Sequence, residues 1–138
     1  MIGAVDTDTN DSTFSIGRDC RINGLFCIML DDDSHVSIGN DCLFSDAIEL
    51  WASDTHTIFN SKREVLNRGK NITIGKHVWI GKHVKILKNA QIPDESIVGM
   101  MSLVCKKFTN SHIAIAGNPA KIIKENINWD SARPNKFQ

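Results

Sequence analysis

An all-β fold, a parallel β-helix wound from six-residue units, is what this sequence predicts, and three observations predict it. Large apolar residues recur at every sixth position: Ile16, Ile22, Ile28, then after a reset of four Ile38, Phe44, Leu50, and later Ile74, Ile80, Ile86, Ile92, Val98, Val104. Four positions beyond them stand small or apolar residues, Cys20, Phe26, Cys42, Ile48, Val78, Val84, Ala90, Ser96 and Ser102, while glycine follows directly at Gly17, Gly39, Gly75, Gly81 and Gly99. Finally, the period fails between Leu50 and Ile74, where His56, Lys62 and Arg68 occupy the positions a core residue would need.

In a chain that is 41% apolar, twelve hits in frame arise by chance roughly a few times in a hundred thousand. A helix would need hits at i+3, i+4 and i+7, which a six-step misses. Six is even, so a strand keeps the same face inward from one unit to the next. The stretch "ITIGKHVWIGKHVKI" (72–86) carries nearly the same unit twice. Glycine and polar residues between the units mark corners, so each unit is one side of a coil and its aliphatic fills the interior. Three sides make a coil of eighteen residues. Twelve units then make about four coils, stacked about 4.8 Å apart by hydrogen bonds.

A stack with open ends needs covering. In "GNPAKIIKENI" Asn118 is placed to cap a helix that starts at Pro119, and Ile122, Ile123 and Ile127 offer it an apolar stripe. The expected C-terminal helix and tail run over about 118–138, within a single domain of residues 1–138. Asp31-Asp32-Asp33-Ser34, at the reset, reads as a solvated turn, with cation binding by its carboxylates as the alternative. The larger break, "SDTHTIFNSKREVLNRGKN" (53–71), reads as a loop extruded from the coil. Loops of that length on a rigid scaffold are usually functional or disordered, and the aromatic and aliphatic residues and the histidine of this one favour function.

Composition excludes several classes. The formal net charge is zero and no basic run exceeds two residues, which argues against nucleic acid or an anionic membrane surface as partner. The start, MIGAVDTDTNDSTFSIG, lacks the pattern of a signal peptide, and no apolar run approaches the ~18 residues of a spanning helix. A soluble, cytoplasmic protein without a membrane span is expected. Cys20, Cys27, Cys42 and Cys105 are scattered, with no C-x-x-C pair. Cys20 and Cys42 fall at inward positions, as small buried hydrophobes do in a reducing compartment.

Four pieces carry a resemblance: "SDTHTIFN" (53–60), "ITIGKHVWIG" (72–81), "IPDESIVG" (92–99) and "AGNPAKII" (116–123). In their order and spacing the sequence resembles the hexapeptide-repeat acyltransferases, and within them the sugar O-acetyltransferases of the maltose, galactoside and capsular-polysaccharide type. The resemblance implies a left-handed winding, a homotrimer, and transfer of acetyl from acetyl-coenzyme A to a hydroxyl of a small-molecule or oligosaccharide acceptor. General crossover rules favour the opposite hand, so handedness comes from the resemblance alone. A prism four coils tall also has little core for its surface, and its flat faces suit side-by-side packing.

By the same resemblance the loop histidine, His56, is the general base, a task that suits an imidazole titrating near neutrality. Asp54 is a candidate to hold its second ring nitrogen, as is a backbone carbonyl or a neighbouring subunit. Backbone N–H groups along the coil would hold the oxyanion, Gly81 foremost. Trp79 matches a residue of the groove between subunits, or packs in the interface there. Gly99, Lys106 and Lys121 match positions near the coenzyme, with Lys107 as a further candidate to meet phosphates. The sequence departs from the family at Gly99-Met100-Met101, where a small-residue turn such as G-A-G is usual; side chains as large as Met100 narrow a pantetheine channel.

Other readings use the same architecture. N-acetylation of an amino sugar changes only the acceptor, and a non-catalytic β-helix would serve as an assembly module. A gamma-type carbonic anhydrase needs three histidines at a trimer interface. Its spacing is absent here, since His77 and His83 lie on adjacent sides of the coil and point in different directions, so no metal is expected.

Overall fold

A computed structural model describes residues 11–137; residues 1–10, read above for a leader, lie outside the described residues. Strands β1 (Thr13–Ile16), β2 (Arg21–Ile22) and β3 (Leu25–Ile28) form the first coil, and β4 (His35–Ile38), β5 (Leu43–Phe44) and β6 (Ile48–Trp51) the second. The third holds β7 (Ile72–Ile74), β8 (Trp79–Ile80) and β9 (Lys85–Leu87), and the fourth β10 (Gln91–Ile92), β11 (Ile97–Val98) and β12 (Leu103–Val104). Strands β13 (Ala114–Gly117) and β14 (Ala120–Lys124) complete the set. Each side of the coil is one sheet: β1-β4-β7-β10, then β2-β5-β8-β11-β13-β14, then β3-β6-β9-β12. The predicted four coils are present, with Ile74 beside Ile92 and Ile38 in parallel register.

The interior is the hexad column. Ile74, Ile80, Ile86, Ile92, Val98 and Val104 are all buried, as are Phe44 and Leu50. The next inward position sits at the corner and is filled by apolar or small residues, Ile48, Val78 and Val84 among them. There Ser96 and Ser102 are buried, and each hydroxyl donates back to a carbonyl of its own corner, Asp94 (3.1 Å) and Gly99 (2.7 Å). Buried hydroxyls are thus satisfied locally. Most corners also bend through a residue with positive φ, among them Asp41, His77, His83, Asn89, Glu95 and Met101. Burial pushes the Cys42 thiol up to about 12 and Cys27 up to about 11, which keeps both as inert filling. Cys20, in the end coil, is only half-buried.

Two expectations need correction. In the first coil the inward residues are Leu25, Cys27 and Met29, while Phe26 is exposed and Ile28 only partly covered. The register pairs Cys27, not Ile28, with Leu50, so the frame is one residue short here and regains the difference in the turn at 30–34. The run Leu25-Phe26-Cys27-Ile28 is apolar on both faces, so alternation does not fix its phase. Phe26 instead meets Trp51 on the outer face, ring centroids 6.0 Å apart.

The second correction is the cap. No helix starts at Pro119: Gly117 pairs with Ala120 across a turn at the cis Asn118–Pro119 bond, and β14 returns antiparallel along β13. Ile122 and Ile123 are exposed, and the last coil is covered by Phe108, Ile113 and Ile115. An edge strand leaves a row of unpaired N–H and C=O groups, and a returning strand satisfies them where a helix would not. The tail then runs back down the prism, with Ile127 N–H donating to the His112 carbonyl (3.0 Å).

Among the described residues no helix is long and apolar enough to cross a membrane.

Candidate active site

The chain leaves the coil after β6 and rejoins it at β7, at the corner between the third and first sheets. Ala52 and Ser53 are still buried, and Ser53 Oγ accepts the Thr55 N–H (3.0 Å), which turns the chain outward through Thr55 at φ +67°. Beyond it the segment folds as a two-limbed arm: Phe59 and Val65 form an antiparallel bridge, and Leu66 N–H donates to the Ile58 carbonyl (2.8 Å). Its tip is closed by Asn60 Oδ1, which accepts the N–H groups of Lys62 and Glu64. The arm presents Ile58, Phe59 and Leu66 to solvent.

His56 lies exposed on this arm, beside a depression of about 110 Å³ that Ser53, Asp54, Asn67 and Arg68 help to line. Its backbone is fixed by a residue that sequence reasoning missed. Asn67 Nδ2 donates to the His56 carbonyl (2.8 Å) and to Asp54 Oδ2 (3.0 Å), while its Oδ1 accepts the Ile58 N–H (2.8 Å). One amide thus ties the returning limb to the outgoing limb on both sides of the histidine. No sequence period marks such a residue; only an asparagine opposite a turn hints at it.

Asp54 does not reach His56 within the chain. Its carboxylate accepts from Lys88 Nζ (2.5 Å), which also donates to the Asn67 carbonyl (3.1 Å). That ammonium, and to a lesser degree Asn67, holds Asp54 below its ordinary value against the opposing pull of burial. The His56 ring has no hydrogen-bond partner among the described residues. Its imidazole is therefore open to a neighbouring molecule.

The remaining predicted residues fall at two separate places. Lys106 and Lys107 stand at the same corner as His56, further along the prism; Lys106 Nζ lies over the Phe108 ring (5.0 Å to its centroid), and Lys107 lines a cleft of about 330 Å³. Trp79, by contrast, points outward from the second sheet between Leu43 and Ile97, and Lys121 projects from β14 on that sheet. Gly81, Gly99 and Met100 follow at the corner between the second and third sheets. One chain does not bring these two groups together.

The Gly81 amide also differs from expectation: its N–H donates to the Val98 carbonyl (2.9 Å) and is used by the coil itself. Glycine is required there by stacking, since a Cβ would meet Met100 N at 2.7 Å. The amide that follows, Lys82 N–H, has no acceptor among the described residues. Gly99 is held likewise, its N–H on Ile115 O (2.8 Å), and a Cβ there would meet Ala116 Cβ at 2.9 Å. Met100 and Met101 are about two-thirds exposed, so they rim the corner rather than fill it.

The proteins and solved structures that this chain resembles are acetyltransferases. It is 42% identical over 132 residues to a polysialic acid O-acetyltransferase from Escherichia coli O1:K1 / APEC, a match that covers 94% of this chain and 41% of that protein. The chain thus spans about two fifths of that relative's length. The crystal structure of the polysialic acid O-acetyltransferase OatWY superposes with a TM-score of 0.77 at 28% identity, covering 99% of this chain and 90% of that one. A galactoside acetyltransferase solved with coenzyme A gives 0.68 at 25% identity over 94% of this chain and 72% of its own. No protein-family profile matches the chain. These relatives are the hexapeptide-repeat acetyltransferases that the sequence resembles, and the fold is their left-handed parallel β-helix.

Proposed function

We propose that this chain transfers an acetyl group from acetyl-coenzyme A to a sugar hydroxyl of an acidic polysaccharide of the polysialic acid kind. The observation that carries the reading is the 42% identity to a polysialic acid O-acetyltransferase across nearly the whole chain, joined to a histidine that the fold holds outward on a tethered arm.

The chemistry follows from the groups available. His56 takes the proton of the acceptor hydroxyl as its oxygen attacks the thioester carbonyl carbon, a contribution of about 10²–10⁴ in rate. The carbonyl oxygen becomes negative, and an unoccupied backbone N–H meets it; Lys82 N–H takes the role first assigned to Gly81. Collapse of the tetrahedral intermediate breaks the C–S bond, and His56 returns its proton to the departing thiolate. Asp54 acts on the base indirectly, by holding Asn67 and Lys88 around the His56 backbone.

Because His56 and Trp79 stand on different parts of the surface, a complete site needs two chains, with the arm of one laid beside the second sheet of another. The exposed Ile58, Phe59 and Leu66 give that arm an apolar surface to bury. A homotrimer with one site in each groove satisfies this arrangement. The lysines Lys106, Lys107 and Lys121 are then candidates for the coenzyme phosphates.

The test is acetyl-coenzyme A turnover with polysialic acid, against maltose and a galactoside as neutral acceptors, with His56→Ala as control. Turnover on polysialic acid that drops about 10²–10⁴-fold in the variant is the expected result. A folded His56→Ala protein with near-normal turnover removes His56 from the mechanism, and transfer to the neutral sugars alone overturns the acceptor.

A further inference from the structure

The tail beyond β14 carries an aromatic residue held more tightly than a chain end needs. Trp129 Nε1–H donates to the His77 carbonyl (2.8 Å), and the Trp129 carbonyl accepts from His77 Nε2 (3.1 Å). The indole also stacks on the imidazole, with centroids 3.9 Å apart and planes 12° apart. His77 is anchored in turn through Nδ1 on Asp41 Oδ2 (2.7 Å). Two reciprocal hydrogen bonds and one stack fix a ring in a single orientation. These contacts join residues 52 apart in sequence.

The same indole also neighbours Trp79, at a centroid distance of 6.1 Å and a tilt of 46°. This separation is within the range at which aromatic rings favour one mutual orientation. Trp79 itself is 39% exposed, and its register partners on the face, Leu43 and Ile97, are aliphatic. Trp129 supplies the aromatic ring beside it.

We propose that Trp129 is a positioning residue for coenzyme binding: locked by His77, it sets the angle at which Trp79 presents its ring to the thioester-bearing arm of acetyl-coenzyme A. The proposal rests on the coenzyme reading above and adds to it a residue of the C-terminal tail. Trp129 touches neither the acceptor nor the reacting carbonyl, so it acts on affinity and leaves the chemical step alone.

The experiment is a double-mutant cycle on the full chain, read as coenzyme A affinity by calorimetry and as KM and kcat for acetyl-coenzyme A. Trp129→Ala is expected to weaken coenzyme A about two- to tenfold, the worth of one aromatic pair, with kcat at saturation within about twofold. Trp129→Phe, which keeps an aromatic ring against Trp79, recovers most of the loss and serves where the alanine variant folds poorly. Since Trp129 acts through Trp79, the pair Trp79→Ala with Trp129→Ala binds no more weakly than Trp79→Ala alone. Wild-type affinity in a folded Trp129→Ala protein, or additive losses in the double variant, overturns the proposal. A wild-type chain that binds no coenzyme A removes the coenzyme reading and the proposal with it, and wild-type binding separates the two failures.

Discussion

Asn67 Nδ2 lies 2.8 Å from the carbonyl oxygen of His56, and through this bond the returning limb of the arm holds the outgoing one. The bond joins residues 11 apart, at the base of an arm whose outer part is closed by the Phe59–Val65 bridge and the Leu66 N–H bond to Ile58. Replacing Asn67 by alanine frees the His56 backbone while leaving the coil untouched. Acetyl transfer is expected to fall about tenfold, since small misplacement of a base is costly. Asn67→Asp keeps the acceptor for Ile58 N–H but loses both donors and faces Asp54 with like charge, so it should lose at least as much. Circular dichroism unchanged with turnover at the wild-type level would refute the tether.

Lys88 and Asp54 make the arm sensitive to acid. The Lys88 ammonium is the main reason that Asp54 titrates below its ordinary value of 3.8. The folded state then binds this proton less readily than the unfolded chain. The resulting stability is present in full above 3.8 and disappears as pH falls through the lowered folded value. Lys88→Met should flatten that part of the acid unfolding profile. Because the Asp54 carboxylate is open to solvent, screening keeps the neutral-pH cost small, about 0.5 kcal/mol. Parallel acid profiles for variant and wild type would speak against the linkage.

His77 responds in the opposite direction. Burial pulls its pKa down, but the Trp129 carbonyl, Asp41 and Glu95 together prevail and raise it above 6.5. Both ring nitrogens face acceptors, Asp41 on one side and Trp129 on the other, and only the imidazolium donates on both. The stability gained is complete below 6.5 and is lost as pH climbs through the raised folded value. Proteolysis within residues 125–137 should therefore quicken on the alkaline side, and His77→Gln should abolish that dependence. A cleavage rate independent of pH in the wild type would contradict it.

The stacked column makes interior deletions expensive. Ile80 is fully buried between Phe44 and Val98 in the second sheet. Ile80→Ala leaves a void that rigid neighbouring coils cannot close, at a cost of about 3–4 kcal/mol in chemical denaturation. Ile123→Ala, on the exposed face of β14, should change stability by under about 0.5 kcal/mol. Had the predicted capping helix been present, Ile123 would have formed part of its buried stripe, so the Ile123 variant discriminates the two structures, with Ile80→Ala as the buried reference.

Sequence alone determined the architecture, because in this fold each structural unit is six consecutive residues and its inward face is written into every one of them. The column from Ile74 to Val104, the small residues at the corners, and the departure of the arm after Leu50 were all legible for that reason. Tertiary structure decided whatever depends on partners far away in the chain. The phase of Leu25–Ile28 was set by the strand beside it, since both of its faces are apolar. The return of β14 in place of a helix was set by the open edge of β13, and the tethers of Asn67 and Trp129 by surfaces that exist only once the coils are stacked. The Gly81 amide illustrates the same division: local pattern called for glycine, but only the neighbouring coil revealed that its N–H was already taken. A repeat encodes its own geometry residue by residue, whereas contacts between distant segments carry no period and exist only after folding.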